Sequence, residues 1–309
     1  MFMIKNFNRI NLLILPIMYI IKWRISFFIC VEQSNNHKNI VFNLTFVMRS
    51  ELNIAKEAAL EAGSVILNYY KADYEIKDKG YHNPVTTADH EADSRLKEIL
   101  MGARPEYGWL SEESVDSAER LRKERVWIVD PLDGTKEFIE GVPNFVVSVA
   151  LVENGVSIVG VLFNPVTGEI FTASQGEGAQ LNGEAIQCTT KENLQDTVIL
   201  NSRSETRRGL WKPYEGIFGK LKAVGSVAYK LGLTAAGHAD IFASLRPKNE
   251  WDICAGTCIV HEAGGKVIDL NGNDIIFNQG KTLIEPGLIA GDNHAVDKTF
   301  SVLTAKTIG

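Results

Sequence analysis

Two carboxylates three residues apart, in Asp130-Pro131-Leu132-Asp133-Gly134-Thr135, form the run with the most specific chemistry in this chain. The apolar residues before them, Val126 to Val129, read as a short buried strand that ends at Asp130-Pro131 and delivers both acids into a tight turn. Pro131 fixes one backbone angle and Gly134 relieves another. Such a turn lets both carboxylates and the Leu132 carbonyl face one point, the all-oxygen surrounding that a hard cation requires. Thr135 adds a hydroxyl and a backbone N–H where a helix can start. An ordinary Asp-Pro turn explains the first dipeptide, but not the full run.

Two further acidic features belong with it. Leu110-Ser111-Glu112-Glu113-Ser114 places adjacent glutamates after an apolar stretch, and Trp251-Asp252 opens an apolar helix. Singly, a solvated acidic loop explains the glutamates and a helix cap explains Asp252. Jointly they supply up to four converging negative charges, tolerable only where cations neutralise them, as in a multi-metal phosphate site. The net charge of −6 argues against a basic face for nucleic-acid polymers. It does not exclude a small anionic substrate, because bound cations reverse the local sign. A P-loop phosphotransferase is excluded, since no Gly-x-x-x-x-Gly-Lys-(Ser/Thr) run exists.

The elements that must position these residues follow from periodicity. Apolar residues at Leu52, Ala55, Ala59, Ala62, Ile66 and Tyr69 predict a long helix, and after the break at His82-Asn83-Pro84 a second helix runs from near Asp89 to about Leu100. Phe145–Val152, Ser157–Phe163 and Glu169–Ala173 predict a meander of strands with hairpin turns at Asn154-Gly155 and Thr167-Gly168; Asn182-Gly183 is another. After about residue 195 strands and helices alternate: a strand at Thr197–Leu200, a helix over Glu205–Leu221 disturbed at Pro213, and a helix over Val227–Ala236 closed by Gly237. A strand at Ala239–Ser244, a helix over Asp252–Ala263 closed by Gly264-Gly265, and a strand at Lys266–Asp269 complete the pattern. The expectation is a layered α/β fold whose halves, 48–200 and 201–309, join near 195–205.

Residues 1–47 do not match the rest. The apolar run Leu12–Ile21, broken by Pro16, and the stretch Ile25–Val31 are each shorter than the roughly 18–20 residues a bilayer span needs. The amphipathic pattern begins right after Met48, so residues 1–47 are expected to be an extension outside the fold; membrane association would require that they be translated and inserted. Cys30, Cys188, Cys254 and Cys258 are too few and scattered for a disulfide scaffold, and read as reduced packing residues of a cytoplasmic protein.

Asp130-Pro131-Leu132-Asp133-Gly134-Thr135 with Trp251-Asp252 resembles the two-part signature of the inositol monophosphatase superfamily. Asn83-Pro84-Val85-Thr86-Thr87-Ala88-Asp89 and Leu110-Ser111-Glu112-Glu113-Ser114 are similar to two further blocks of that family, in the same order. The resemblance spans roughly residues 50–295. It implies an αβαβα five-layer sandwich and lithium-sensitive hydrolysis of phosphomonoesters with two or three Mg²⁺ ions, and dimers are common among similar proteins. It also implies roles. Glu112, Asp130, Asp133, Asp252 and the Leu132 carbonyl match metal ligands, Asp89 and Thr135 match the pair that orients and deprotonates the attacking water, and Gly134 and Thr135 match backbone donors to the phosphate. A non-catalytic phosphate- or metal-binding regulator is the rival class, and retention of Asp89 and Thr135 argues against it.

The continuation Lys136-Glu137-Phe138 resembles the 3'(2'),5'-bisphosphate nucleotidase branch, which implies adenosine 3',5'-bisphosphate as substrate. Gly225-Ser226-Val227-Ala228-Tyr229-Lys230 is similar to the segment lining the nucleotide pocket there. Lys230, Arg246 or Lys248 could meet a second phosphate, although Lys230 also fits a solvated helix position. Seven residues before Asp252, where inositol-specific members carry a glutamate, stands Leu245. Inositol 1-phosphate and fructose 1,6-bisphosphate remain the alternative substrates.

Overall fold

The computed structural model describes residues 50–78 and 84–305; the extension 1–47, the start at Met48, Cys30 and Asn83 lie outside the described residues. The first helix, α1 (Glu51–Tyr69), is capped by Ser50, whose hydroxyl accepts the Asn53 N–H, and buries a stripe from Ile54 through Ala62 to Ile66. Two short strands, β1 (Ile76–Asp78) and β2 (Pro84–Thr86), lead into α2 (Thr87–Ala103). Thr86 and Asp89 cap α2 reciprocally.

A seven-stranded sheet follows in sequence order: β3 (Gly108–Ser111), β4 (Arg125–Asp133), β5 (Val146–Glu153), β6 (Val156–Asn164), β7 (Glu169–Ser174), β8 (Gly178–Leu181) and β9 (Glu184–Ile186). Only β3 and β4 are parallel; the rest form an antiparallel meander. Asn154-Gly155 and Asn182-Gly183 take left-handed backbone angles at two of its hairpins. The short helix α3 (Thr135–Ile139) leaves the sheet after β4.

The second sheet has the order β11-β10-β12-β16-β14, built from β10 (Val198–Ser202), β11 (Lys220–Val224), β12 (Ile241–Ser244), β14 (Lys266–Asp269) and β16 (Leu288–Gly291). Its helices are α4 (Arg203–Arg207), α5 (Val227–Ala235), α6 (Glu250–Glu262) and α7 (Asn293–Ala305). The pair β13 (Lys248–Asn249) and β15 (Leu283–Ile284) precedes α6 and β16.

The layers follow from which faces are apolar. Strand β4 is buried on both sides, with Trp127 and Val129 facing α1 and α2, and Val126 and Ile128 facing α5 and α6. That double burial explains its unbroken apolar run. Helices α5 and α6 lie between the two sheets, and α7 covers the far face of the second over Ile199, Ile241 and Ile289. The stack is α, β, α, β, α, the expected five-layer sandwich. No helix among the described residues is long and apolar enough to cross a membrane.

Two expectations are corrected. The helix expected over Glu205–Leu221 is instead the one-turn α4, a 3₁₀ turn at Lys212–Tyr214 and the edge strand β11. Gly209 and Gly216 take positive φ and stop helix propagation, and Lys220–Val224 pairs in parallel with β10. Strand β4 does not end at Asp130; it runs on to Asp133 through a register shift against β5. Sequence periodicity also missed β3, β16 and α7.

Candidate active site

The register shift in β4 makes the site. Between Asp130 and Asp133 the strand bulges, so that Asp130 Oδ1 accepts the Leu132 N–H at 2.9 Å. Gly134 follows with φ +107°, and a Cβ there would lie 2.9 Å from the Asn144 carbonyl oxygen. Glycine is therefore required by both angle and space. Asp133 turns the other way across the sheets: its Oδ2 accepts the Ser226 hydroxyl at 2.5 Å and the Ala228 N–H at 2.6 Å, at the start of α5.

Three carboxylates converge beside this turn. One oxygen each of Glu112, Asp130 and Asp252 lies within 4.8 Å of the others. Glu112 is the first residue after β3, and its N–H reaches the Val129 carbonyl at 3.4 Å. Asp252, in the first turn of α6, accepts the Asn249 N–H at 3.0 Å through Oδ2. It thus serves the helix start with one oxygen while its carboxylate stays in the cluster. Burial first, then repulsion from Glu112, Asp133 and Asp252, pushes the Asp130 carboxyl well above its ordinary range. Burial first, then Asp133 and Glu112, does the same to Asp252. Asp133 is pushed up to about 6 by burial, opposed by the Ser226 hydrogen bond and the charge of Lys230. Buried carboxylates this close hold protons unless a cation replaces them. An all-oxygen, strongly anionic donor set fits a divalent cation such as Mg²⁺.

A second pair stands next to the turn. Thr135 Oγ1 is 3.0 Å from Asp89 Oδ1 and 3.2 Å from the Leu132 carbonyl oxygen. Asp89 Oδ2 accepts the Thr86 N–H at 2.7 Å and the Thr86 hydroxyl at 2.6 Å, so the capping of α2 fixes the carboxylate that receives Thr135. Burial raises the Asp89 pKa against those hydrogen bonds.

These groups open on one cleft of about 330 Å³ lined by Glu112, Asp130, Leu132, Asp133, Gly134, Thr135, Gly225, Ser226, Lys230 and Asp252, with Lys136, Glu137, Glu140, Arg203, Arg207 and Lys248. Lys230 is not a solvated helix position. It is 2% exposed, and its Nζ donates to the carbonyls of Val224, at 3.1 Å, and Ser226. Burial pushes its pKa down to about 8. Arg246 is exposed and is not among the residues lining the cleft, and the Ser244 hydroxyl donates to its carbonyl at 3.0 Å. The cations that sequence reasoning missed are Arg207 and Arg203, the latter paired with Glu137 and Glu140 at 2.7 Å each. The signal available was topological, since Arg203 directly follows the C-terminal end of parallel strand β10, where ligands gather in such sheets.

The family model of the inositol monophosphatase family matches residues 48–306. Inositol-1-monophosphatase of Rhizobium meliloti (strain 1021) is 34% identical over 257 residues, 79% of this chain and 92% of that protein. Nus factor SuhB of Escherichia coli (strain K12) is 36% identical over 236 residues, 73% of this chain and 87% of that protein. The crystal structure of extragenic suppressor protein SuhB from Bartonella henselae superposes with a TM-score of 0.73 at 32% identity, covering 81% of this chain and 97% of that one. The chain belongs to the inositol monophosphatase family.

Proposed function

We propose that this family member is a Mg²⁺-dependent phosphomonoesterase selective for a substrate with a second phosphate, adenosine 3',5'-bisphosphate, which it converts to AMP and phosphate. The observation that carries the substrate is the composition of the cleft, where Lys136, Arg203, Arg207 and Lys248 share one space with the carboxylate cluster. Arg203 is already paired with Glu137 and Glu140 and Lys248 lies 4.0 Å from Glu205, and a distal phosphate would give these cations a further anionic partner that a monophosphate does not supply.

Glu112, Asp130, Asp133, Asp252 and the Leu132 carbonyl would hold two or three Mg²⁺ ions. When bound, the metal supplies Lewis-acid neutralisation of the phosphoryl and leaving oxygens and a water of lowered pKa. Thr135, hydrogen-bonded to Asp89, orients the attacking water and passes its proton to the Asp89 carboxylate. The N–H groups of Gly134 and Thr135, at the start of α3, receive the phosphoryl oxygens. Displacement is in line, with no covalent intermediate on the protein. The same reading carries lithium sensitivity, a cytoplasmic enzyme with reduced Cys188, Cys254 and Cys258, and a homodimer.

Inositol 1-phosphate is the second reading, favoured by the name of the Rhizobium meliloti relative. Against it, the position at which the resemblance puts a glutamate in inositol-specific members is Leu245, which packs against the apolar cluster on the far face of the second sheet and does not line the cleft. Phosphate release with Mg²⁺ from adenosine 3',5'-bisphosphate, inositol 1-phosphate and fructose 1,6-bisphosphate decides. At least a tenfold higher kcat/KM for the nucleotide is expected. A preference for either other substrate overturns the substrate assignment, and no release from any of them favours a non-catalytic binding protein.

A further inference from the structure

Glu112 occupies an awkward place for a residue that must be held still. Strand β3 ends one residue before it, at Ser111, and Val115, three residues after it, is 98% exposed. The carboxylate thus belongs to a segment passing from the buried sheet into open solvent within four residues. Its backbone N–H reaches the Val129 carbonyl at 3.4 Å, longer than a good sheet hydrogen bond.

Asp93 closes on this segment from the helix beneath. It lies on α2 one turn after Asp89 and is 8% exposed. Both carboxylate oxygens are used. The Ser111 hydroxyl donates to Oδ1 at 2.5 Å, and the Ser114 hydroxyl donates to Oδ2 at 2.6 Å. The Ser111 hydroxyl also accepts the Glu113 N–H at 3.2 Å, which folds the chain around its own oxygen. The two serines flank Glu112-Glu113, so one side chain grips the ligand-bearing segment at both ends. Hydrogen bonds of hydroxyls to a buried carboxylate are short and strong, and resist displacement by water.

We propose that Asp93 is a positioning residue for the metal centre. Through Ser111 and Ser114 it fixes the Glu112 carboxylate against those of Asp130 and Asp252, and through one turn of α2 it ties that carboxylate to Asp89. Metal ligands held by outer hydrogen bonds lose roughly 10- to 100-fold in metal affinity or activity when those partners are removed. Asp93 does not itself join the converging carboxylates, so its effect passes through Glu112. The inference rests on the assignment of Glu112 as a Mg²⁺ ligand.

The test is calorimetric titration of Mg²⁺ into the metal-stripped full-length chain, for wild type, Glu112→Gln, Asp93→Ala, Asp93→Asn, Ser111→Ala and Ser114→Ala, each with a thermal melt. Asp93→Ala is expected to raise the Mg²⁺ dissociation constant about tenfold. Asp93→Asn, which keeps one acceptor, recovers part of that loss, and each serine variant weakens binding by less than Asp93→Ala. In turnover assays, Asp93→Ala shifts the Mg²⁺ concentration for half activity while substrate KM at saturating Mg²⁺ stays as in wild type. Wild-type binding by a folded Asp93→Ala overturns the proposal, as does an equal loss of turnover at every Mg²⁺ concentration. If Asp93→Ala does not fold, wild-type binding by both serine variants overturns it. Wild-type binding by Glu112→Gln instead overturns the metal assignment on which the proposal stands, and the two failures are thereby told apart.

Discussion

Replacing Asp130 by asparagine should make the metal-free protein more stable and the enzyme nearly inactive. The side chain keeps its local bond, because an asparagine Oδ1 can still accept the Leu132 N–H now donated to Asp130 at 2.9 Å. What changes is charge. The Glu112, Asp130 and Asp252 oxygens lie within 4.8 Å of one another. At that separation two full charges repel by about 3.5 kcal/mol at an effective dielectric near 20, so two neighbours burden Asp130 with about 7 kcal/mol. Proton uptake caps most of this, since burial and those same neighbours already raise its pKa well above the ordinary range. A residual gain of about 1 kcal/mol is therefore expected, which for a protein of this size raises the melting temperature by roughly 2–4 °C. With Mg²⁺ the order reverses. Wild type gains about 2.7 kcal/mol at a hundredfold excess over its dissociation constant, and the variant gains far less. Turnover should fall about 10²- to 10³-fold, the scale of losing one preorganised electrostatic contact to the transition state. Melting curves with and without Mg²⁺, paired with phosphate release, read both signs at once. An Asp130→Asn protein that melts below metal-free wild type, or keeps more than about a tenth of its activity, refutes the reasoning.

Two other outcomes follow from the same geometry. Because Asp130, Asp133 and Asp252 have folded-state pKa values above their unfolded ones, the metal-free native state binds more protons than the unfolded chain, and its stability falls as pH rises above the ordinary carboxylate range, for Asp133 through about 6. Mg²⁺ displaces those protons, so its dissociation constant should tighten from pH 5.5 to 7.5 with measurable proton release; a constant independent of pH would contradict the cluster. Gly225→Ala puts a Cβ 2.2 Å from Glu137 Cδ and should cost about 1–3 kcal/mol while freeing Arg203 from Glu137. The readouts are the melting temperature and KM, and an unchanged KM for the bisphosphate would detach Arg203 from substrate binding.

Much of the scaffold was legible because its punctuation is local. Asn154-Gly155, Asn182-Gly183, Gly237 and Gly264 all take positive φ, the conformation that turn and helix-end chemistry asks of them. Asp130 and Asp133 were legible as a pair because Pro131 and Gly134 mark the turn within the same six residues. What escaped was set by tertiary contact. Lys220–Val224 alternates only over Lys220-Leu221-Lys222-Ala223, too short a run to outweigh a helical reading, and becomes a strand because β10 offers an edge. Lys230 has the spacing of a surface position, yet the Val224 and Ser226 carbonyls draw its ammonium inward beside Asp133. Asp93 was missed because its partners, Ser111 and Ser114, are 18 and 21 residues away in the chain.

The division of the cleft between two kinds of support bears on how substrate choice varies within this fold. The carboxylates hang on elements that cannot move singly: Asp130 on a strand buried on both faces, Asp252 at the start of a helix packed between two sheets, Asp133 locked to Ser226 and Ala228 across them. A change at any of these must be absorbed by close-packed core on both sides. Arg203 stands on different ground. It is about one third exposed and is held by the ion pairs to Glu137 and Glu140 at the end of α3. Replacing it meets solvent on one side and costs little stability, since such partly exposed pairs contribute on the order of 1 kcal/mol or less. Under the proposed function, chemistry is thus tied to the fold's core and the contribution of Arg203 to its rim. Glu137 is the point of contact between them, because it is buried against Gly225, one residue from the Ser226 that binds Asp133, while its carboxylate holds the arginine outside.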